Sequence, residues 1–249
     1  MSEDRVKISI VTVSFDSAAT IADTIRSVLG QTYPPFEYII MDGGSKDSTL
    51  DVIEGFRDEF EQKGIALIVT SEKDEGMYDA MNKGIAASSG DIVGIINSDD
   101  WYEKDALETV ADTYLKTGFD LFYADLRMVF PDGRSFVKHS RNRSYATSRD
   151  WNHPTTFITR SIYENNRYRN DTLHDDYDLI LRLKKQNVKT VVVNKVLADF
   201  RMNGVSHNRS LSKALSRIKI KYKIYRQNGY GRYYIFECMI VELGKLVIG

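Results

Sequence analysis

An α/β fold with a mostly parallel sheet flanked by helices follows from three features of this chain. From Lys7 to about Asn97, short β-branched runs alternate with stretches of helical period. The runs are too uniformly apolar for strands with one wet face, as in Ile8-Ser9-Ile10-Val11-Thr12-Val13. Each run ends in a polar turn, at the edge where parallel sheets bind ligands.

Ile8 to Val13 is the first predicted strand. Ile21, Ile25, Val28 and Leu29 recur at helical spacing, and Pro34-Pro35 ends that segment. Glu37 to Met41 reads as the second strand, and Val52, Ile53, Phe56 and Phe60 line the next helix. Ala66 to Val69 is a third strand, Met77 to Ala87 a helix, and Ile92 to Ile96 a fourth strand. The turns after these strands are Ser14 to Asp16, Asp42 to Gly44, Ser71 to Gly76 and Asn97 to Asp100. All four are expected on one rim of the sheet. The second half is less regular. It carries a helix over Asp105 to Leu115, a strand over Asp120 to Phe130, and a Pro131-Asp132-Gly133 turn into another strand. A helix within Thr172 to Gln186 turns Leu179, Ile180 and Leu183 inward, and Thr190 to Val193 is strand-like.

Composition narrows the function. The chain has 249 residues, 42% hydrophobic and 28% charged, which suits a soluble protein with a real core. A net charge of −1 supplies no field to collect nucleic acid. The single cysteine, Cys238, rules out an internal disulfide framework and a cysteine-ligated zinc site. Met1-Ser2-Glu3-Asp4-Arg5 lacks a secretory signal, so a cytoplasmic location is expected. The first strand runs into Ser14-Phe15-Asp16-Ser17, with neither G-x-G-x-x-G nor a P-loop, which argues against a dehydrogenase or a P-loop NTPase.

The fourth strand runs directly into Asn97-Ser98-Asp99-Asp100. Two carboxylates at the mouth of a buried strand repel each other unless a cation or hydrogen-bond donors compensate them. Hard oxygen ligands suit Mg²⁺ or Mn²⁺, ions that commonly take one or two carboxylates plus substrate phosphates. The plainer alternative is that Ser98 or Asp99 caps a helix beginning near Glu103.

The run Ser9 to Phe15, followed by Ser27-Val28-Leu29-Gly30-Gln31, resembles the opening of family-two glycosyltransferases. Tyr38 to Thr49, with Asp42-Gly43-Gly44-Ser45 inside it, is similar to that family's second motif. Asp74 to Gly84, then Gly90-Asp91 and Asn97 to Asp100, resembles its colanic-acid-type branch. The likeness resumes at His153-Pro154-Thr155-Thr156-Phe157 and Asp175-Asp176-Tyr177. It implies a GT-A fold, a Rossmann-like sheet, and an inverting transfer from a nucleotide-diphosphate sugar, a UDP-sugar first. It would place donor contacts on Thr12, Val13 and Asp16, where many relatives carry asparagine at the last. Asp42 would meet the nucleobase, and Asp74, Gly76 and Asn82 would shape the donor pocket. Asp99 would approach the ribose or metal, and Asp100 would be the principal ligand of Mn²⁺ or Mg²⁺. The catalytic base would be Asp176, with Asp175 beside it and His153 on the acceptor side.

On the residues alone, each has a plainer reading. Asp42 to Ser45 makes a turn with capping side chains, and Asp79, Asn82 and Lys83 suit a solvated helix face. Asp175 and Asp176 suit an ordinary first helical turn, whose N-terminus favours negative charge. Trp101 and Trp151 suit core packing as well as stacking on a sugar. His207, after the Asn203-Gly204-Val205-Ser206 loop, is a candidate third metal ligand.

Residues 1–208 are therefore expected to form one domain, with a nucleotide-binding half to about residue 100 and an acceptor half beyond it. Residues 209–249 form a basic and apolar helical appendage. There Lys213, Arg217, Lys219, Lys221, Lys223 and Arg226 interleave with Leu211, Leu215, Ile218, Tyr222 and Tyr225. This segment suits either peripheral contact with the inner face of a membrane, near a lipid-linked glycan acceptor, or packing on the domain or a second copy. Bacterial surface polysaccharide synthesis is the family-level expectation. Two alternatives remain: a non-catalytic nucleotide-sugar-binding or scaffolding protein, and a nucleotidyltransferase, which would want a Gly-rich basic loop after the first strand.

Overall fold

The computed structural model describes residues 5–202 and 210–247. Among them, β1 (Ile8–Ser14), β2 (Glu37–Asp42), β3 (Ala66–Ser71) and β4 (Ile92–Asn97) pair in parallel in the order β3-β2-β1-β4. Every residue of β1 and β2 is buried. Helices on both faces explain this. Ile8 and Ile10 pack in one apolar layer with α1 (Ile21–Leu29), while Val11 and Val13 pack in the other with α4 (Met77–Ala87). Helix α4 lies so close to β1 that a Cβ on Gly84 would collide with Val11. A glycine is required there by space, not by backbone angle.

The helix expected through Val52 and Phe60 is two, α2 (Thr49–Glu54) and α3 (Arg57–Gln62), broken at Gly55-Phe56. Glycine is the poorest helix former after proline, and here it closes α2. Next come β5 (Trp101–Tyr102), α5 (Ala106–Thr117), β6 (Leu121–Val129) and β7 (Ser135–Lys138). Strand β8 (Phe157–Thr159) inserts antiparallel between β4 and β6, and α6 (Arg160–Asn165) follows it. β5, β8 and α6 go beyond the sequence reading, because two to six residues are too few to show a period. After α7 (Asp175–Lys185), β9 (Thr190–Arg201) runs past its expected end at Val193. Its pairing with β6 shifts register near Asp125, so Asn194-Lys195 sits in an irregularity and not at a strand end. The predicted α/β sheet is thus parallel in its first half and mixed in its second.

The C-terminal segment is α8 (Leu211–Gln227) and α9 (Tyr234–Val247). One face of this pair joins the main core: the Tyr177 hydroxyl lies 2.8 Å from that of Tyr225, which donates to Ala146 O at 2.9 Å. A buried ion cluster locks the helices together. Glu242, at 0% exposure, takes Lys221 at 2.5 Å and Arg217 at 2.6 Å.

Candidate active site

The rim contains the turns named from sequence. Asp42, 2% exposed, accepts at Oδ1 from Ser14 Oγ (3.1 Å) and Ser45 Oγ (2.5 Å). Its Oδ2 accepts from Gly44 N (3.1 Å), Ser45 N (2.9 Å) and Ser71 Oγ (2.7 Å). Burial pushes this carboxyl up, but the bonds from Ser45, Ser71 and Ser14 outweigh it and hold the pKa below its usual value. Five donors fill the acceptor capacity of a carboxylate. To reach a nucleobase, one serine hydroxyl has to swing away.

The first turn is latched onto the second. Asp16, at φ 45°, accepts at Oδ1 from Lys46 N (2.8 Å), and its own N–H donates to Ser45 Oγ (2.8 Å). Thr12 lies beneath the rim, with its hydroxyl accepting from Tyr38 at 2.9 Å. Val13 sits one residue higher, paired with Met41 and Asn97. A Cβ on Gly43 would lie 2.7 Å from Asp74 Oδ2 and 3.3 Å from the Phe15 ring. Gly43 therefore floors a slot between a carboxylate and an aromatic that is 62% exposed. Asp74 also accepts from Gly76 N at 2.9 Å, at the start of α4. Asn82 faces elsewhere: its amide donates to Tyr168 O (2.9 Å) and accepts from Tyr168 N (3.0 Å).

Asp100 differs from Asp42. It is 0% exposed, Oδ1 accepts from Arg201 N at 3.1 Å, and among the described residues Oδ2 has no hydrogen-bond partner. Burial raises its pKa well above the carboxylate range and the Asp99 charge adds to that, while Arg201 pulls it back. Burial raises Asp99 too, against its own backbone and Arg201. Nearby, Asn97 Oδ1 is likewise buried without a partner. The Mn²⁺ or Mg²⁺ implied by sequence fits these residues, since an orphaned buried carboxylate oxygen beside a second carboxylate offers hard donors and open positions. Among the described residues no cluster of three or more His, Cys, Asp or Glu side chains forms a complete cage. His207 and the Asn203 to Ser206 loop lie outside the described residues. Neither Ser98 nor Asp99 caps the next helix, because β5 intervenes and Asp105 precedes α5.

Asp176 lies in the first turn of α7 and lines an open cleft of about 320 Å³ with Tyr78, Met81, Asn97, His153 and Phe200. The ends of β4 and β9 thus border the same space as Asp176. Desolvation lowers the His153 pKa and the Asp176 charge partly restores it, leaving a neutral imidazole at pH 7. Asp175 is turned back into the chain, accepting from Asp171 N (2.5 Å), Thr172 N (3.0 Å) and Thr172 Oγ1 (2.7 Å). Trp151 donates to Thr156 Oγ1 at 2.7 Å and lines a separate depression with Tyr145 and Lys184. Of the three acceptor-side residues, His153 is the one that borders the Asp176 cleft.

Four site residues escaped the sequence reading. Phe15 and Tyr78 lie inside the resembled motifs, where the resemblance assigns them no role. Phe200 and Arg201 end β9 in a stretch with no signal. The Arg201 guanidinium donates to Asp99 O (3.1 Å) and Asp23 (2.9 Å) and stacks 4.9 Å over Trp101, placing a fixed positive charge beside the acidic pair.

Comparison with known proteins gives the family and the fold. Residues 9–185 match the family model described as glycosyl transferase family 2. Over 247 residues the chain is 28% identical to the UDP-Gal:alpha-D-GlcNAc-diphosphoundecaprenol beta-1,3-galactosyltransferase of Escherichia coli, covering 92% of this chain and 86% of that protein. It is 26% identical to the putative teichuronic acid biosynthesis glycosyltransferase TuaG of Bacillus subtilis, covering 84% and 85%. In structure it resembles S. aureus TarS 1–349 in complex with UDP, with TM-score 0.66, 16% identity, and 96% and 71% of the chains covered. It also resembles the mannosyltransferase PcManGT from Pyrobaculum calidifontis in complex with GDP-Man and Mn2+, with TM-score 0.72, 14% identity, and 98% and 73% covered. The fold is therefore the expected GT-A fold, and with the family model spanning both the acidic pair and Asp176, this chain is a glycosyltransferase of family 2.

Proposed function

We propose that the enzyme transfers a sugar from a nucleoside-diphosphate donor, a UDP-sugar first, to a hydroxyl of a lipid-linked glycan in bacterial surface polysaccharide synthesis. The transfer is inverting and uses Mn²⁺ or Mg²⁺. The observation that carries this reading is the partnerless, buried Asp100 Oδ2 beside Asp99, at the end of the strand whose Asn97 borders the Asp176 cleft. The E. coli relative's name records a UDP-Gal donor and a diphosphoundecaprenol-linked acceptor, and TarS was solved with UDP.

In this reading Phe15 stacks on the nucleobase, and Asp74 accepts from the base or ribose across the Gly43 slot. Asp100, with Asp99, holds the cation, which when bound neutralises the leaving diphosphate. Asp176 takes the proton of the acceptor hydroxyl as its oxygen attacks the anomeric carbon. The nucleoside diphosphate leaves from the opposite face, so the configuration inverts. His153, neutral, orients the acceptor by a hydrogen bond. A thermal-shift screen of UDP, GDP and dTDP and their sugars, with and without Mn²⁺, tests the donor site. A ligand at one hundred times its Kd adds about 2.7 kcal/mol, and Asp100→Ala abolishes the metal-dependent part. No stabilisation of folded protein by any of them overturns the reading.

We further infer peripheral contact of residues 209–249 with an anionic membrane face, because α9, which buries Tyr234, Cys238 and Val241, also exposes a second apolar stripe. Its acidic residues Glu237 and Glu242 are 4% and 0% exposed, while Phe236, Met239 and Ile240 are 64%, 40% and 61% exposed, and Tyr233 just before the helix is 59% exposed. Exposed Lys219, Lys223, Arg226 and Arg232 accompany this apolar stripe on the same helical pair. No helix among the described residues is long and apolar enough to cross a membrane. Phosphatidylglycerol vesicles should sediment the full chain, and Phe236→Ser with Ile240→Ser should release it. Concentration-dependent dimerisation without vesicle binding assigns the stripe to a second copy instead.

A further inference from the structure

The residues between α6 and α7 have no helix or strand of their own, yet they deliver Asp176 to the cleft. We propose that Asn82 and Tyr78, on α4 of the donor half, are positioning residues that clamp this segment and so set the place of the base. The proposal rests on the reading of Asp176 as base. Asn82 grips the Tyr168 peptide units from both sides, at 2.9 and 3.0 Å, and its own carbonyl accepts from the Arg167 guanidinium at 3.1 Å. The Tyr78 ring stacks on Tyr168 at 5.2 Å, and its hydroxyl donates to Leu173 O at 3.3 Å. One helical turn earlier, Glu75 O accepts from Asn170 Nδ2 at 3.2 Å, where Asn170 holds φ 59°. Asp175 then folds the 171–172 backbone onto the start of α7.

The contacts run in a continuous line. Asp74 borders the Gly43 slot and bonds Gly76 N; α4 holds Tyr168 and Leu173, and Glu75 just before it holds Asn170; the next residues are His174, Asp175 and Asp176. These two bonds fix the orientation of the Asn82 amide toward residue 168, while one N–H and one oxygen lone pair stay uncommitted. The donor motif and the catalytic base are thus tied by α4, not by the sheet.

The test separates donor binding from turnover. Asn82→Ala, Asn82→Asp, Tyr78→Phe and Asp176→Asn are compared with wild type in two assays. One is UDP affinity with Mn²⁺ by calorimetry. The other is UDP release from UDP-galactose and UDP-N-acetylglucosamine with a short-chain lipid diphosphate N-acetylglucosamine. Asn82→Ala should lower kcat about 10- to 100-fold, as a misplacement near 1 Å does, with UDP affinity unchanged within about threefold. Asn82→Asp keeps the acceptor for Tyr168 N–H and should recover part of that loss. Hydrogen exchange at residues 167–177 should rise in Asn82→Ala while the 42–45 turn stays protected, a readout independent of the acceptor chosen. Loss of UDP affinity by the same factor as kcat, or unaltered exchange at 167–177, overturns the proposal. If Asn82→Ala does not fold, Tyr78→Phe decides by the same split. Normal turnover by Asp176→Asn removes the base reading, whereas an inactive Asp176→Asn beside a fully active Asn82→Ala removes the clamp alone.

Discussion

Two turns on one rim solve the problem of a buried carboxylate in opposite ways. After β2, Asp42 receives five hydrogen bonds and its pKa falls. After β4, Asp100 receives one, leaves an oxygen unpartnered, and its pKa rises well above the usual range. A satisfied carboxylate builds the turn around it; an unsatisfied one is held buried at a cost in free energy. Exposure does not separate them, at 2% and 0%. The count of donors does.

This contrast can be broken most sharply at Asp100. Asp100→Asn should lower transfer by about 10³-fold or more if the cation site is essential, while raising the melting temperature of the metal-free protein by about 2–4 °C per kcal/mol of relieved repulsion. Calorimetry with and without Mn²⁺ checks both halves, and a lower melting point would mean that Asp100 stabilises the fold. Asp42→Ala should do the reverse to stability, costing about 2–4 kcal/mol in urea unfolding because the serine and amide donors lose their common acceptor.

The pH dependence sharpens the same pair. Asp42, depressed in the fold, contributes stability above the unfolded value of about 3.9 that is lost as pH falls through its lower folded pKa. Asp100, elevated in the fold, costs stability at neutral pH, and that cost disappears as pH falls through its raised pKa. The melting-point advantage of Asp100→Asn should therefore be largest near pH 8 and fade on acidification, while the deficit of Asp42→Asn should persist until the pH drops below about 4. The smallest effect concerns the slot between these turns. Phe15→Ala should weaken UDP binding by about 1–3 kcal/mol, the scale of one base stacked on one ring, with melting temperature unchanged.

Much of this molecule was legible as pattern. The parallel half appeared because β-branched runs of six residues and helices of nine or more have periods long enough to read. The two-residue β5 at Trp101-Tyr102 and the three-residue β8 did not. At the candidate site, the motifs point to Asp42, Asp74, Gly76, Asp99, Asp100 and Asp176 as expected contacts, but not to the hydrogen-bonding state of each. Asn82 read as a solvated or donor-facing residue, since its partners lie 86 residues away at Tyr168. In the C-terminal pair, the six basic residues read as one interleaved stretch, and the structure divides them, turning Lys221 and Arg217 inward to Glu242.

The amino-acid order by itself determined the sheet, its polar rim and the family, because hydrophobic periodicity and turn chemistry are local properties. Which carboxylate is saturated, which amide grips a distant backbone, and that α9 buries Glu237 and Glu242 while exposing Phe236 and Ile240 were decided by tertiary structure. Hydrogen-bond partners and burial depend on what the rest of the chain brings within about 3 Å, a distance that sequence spacing does not encode.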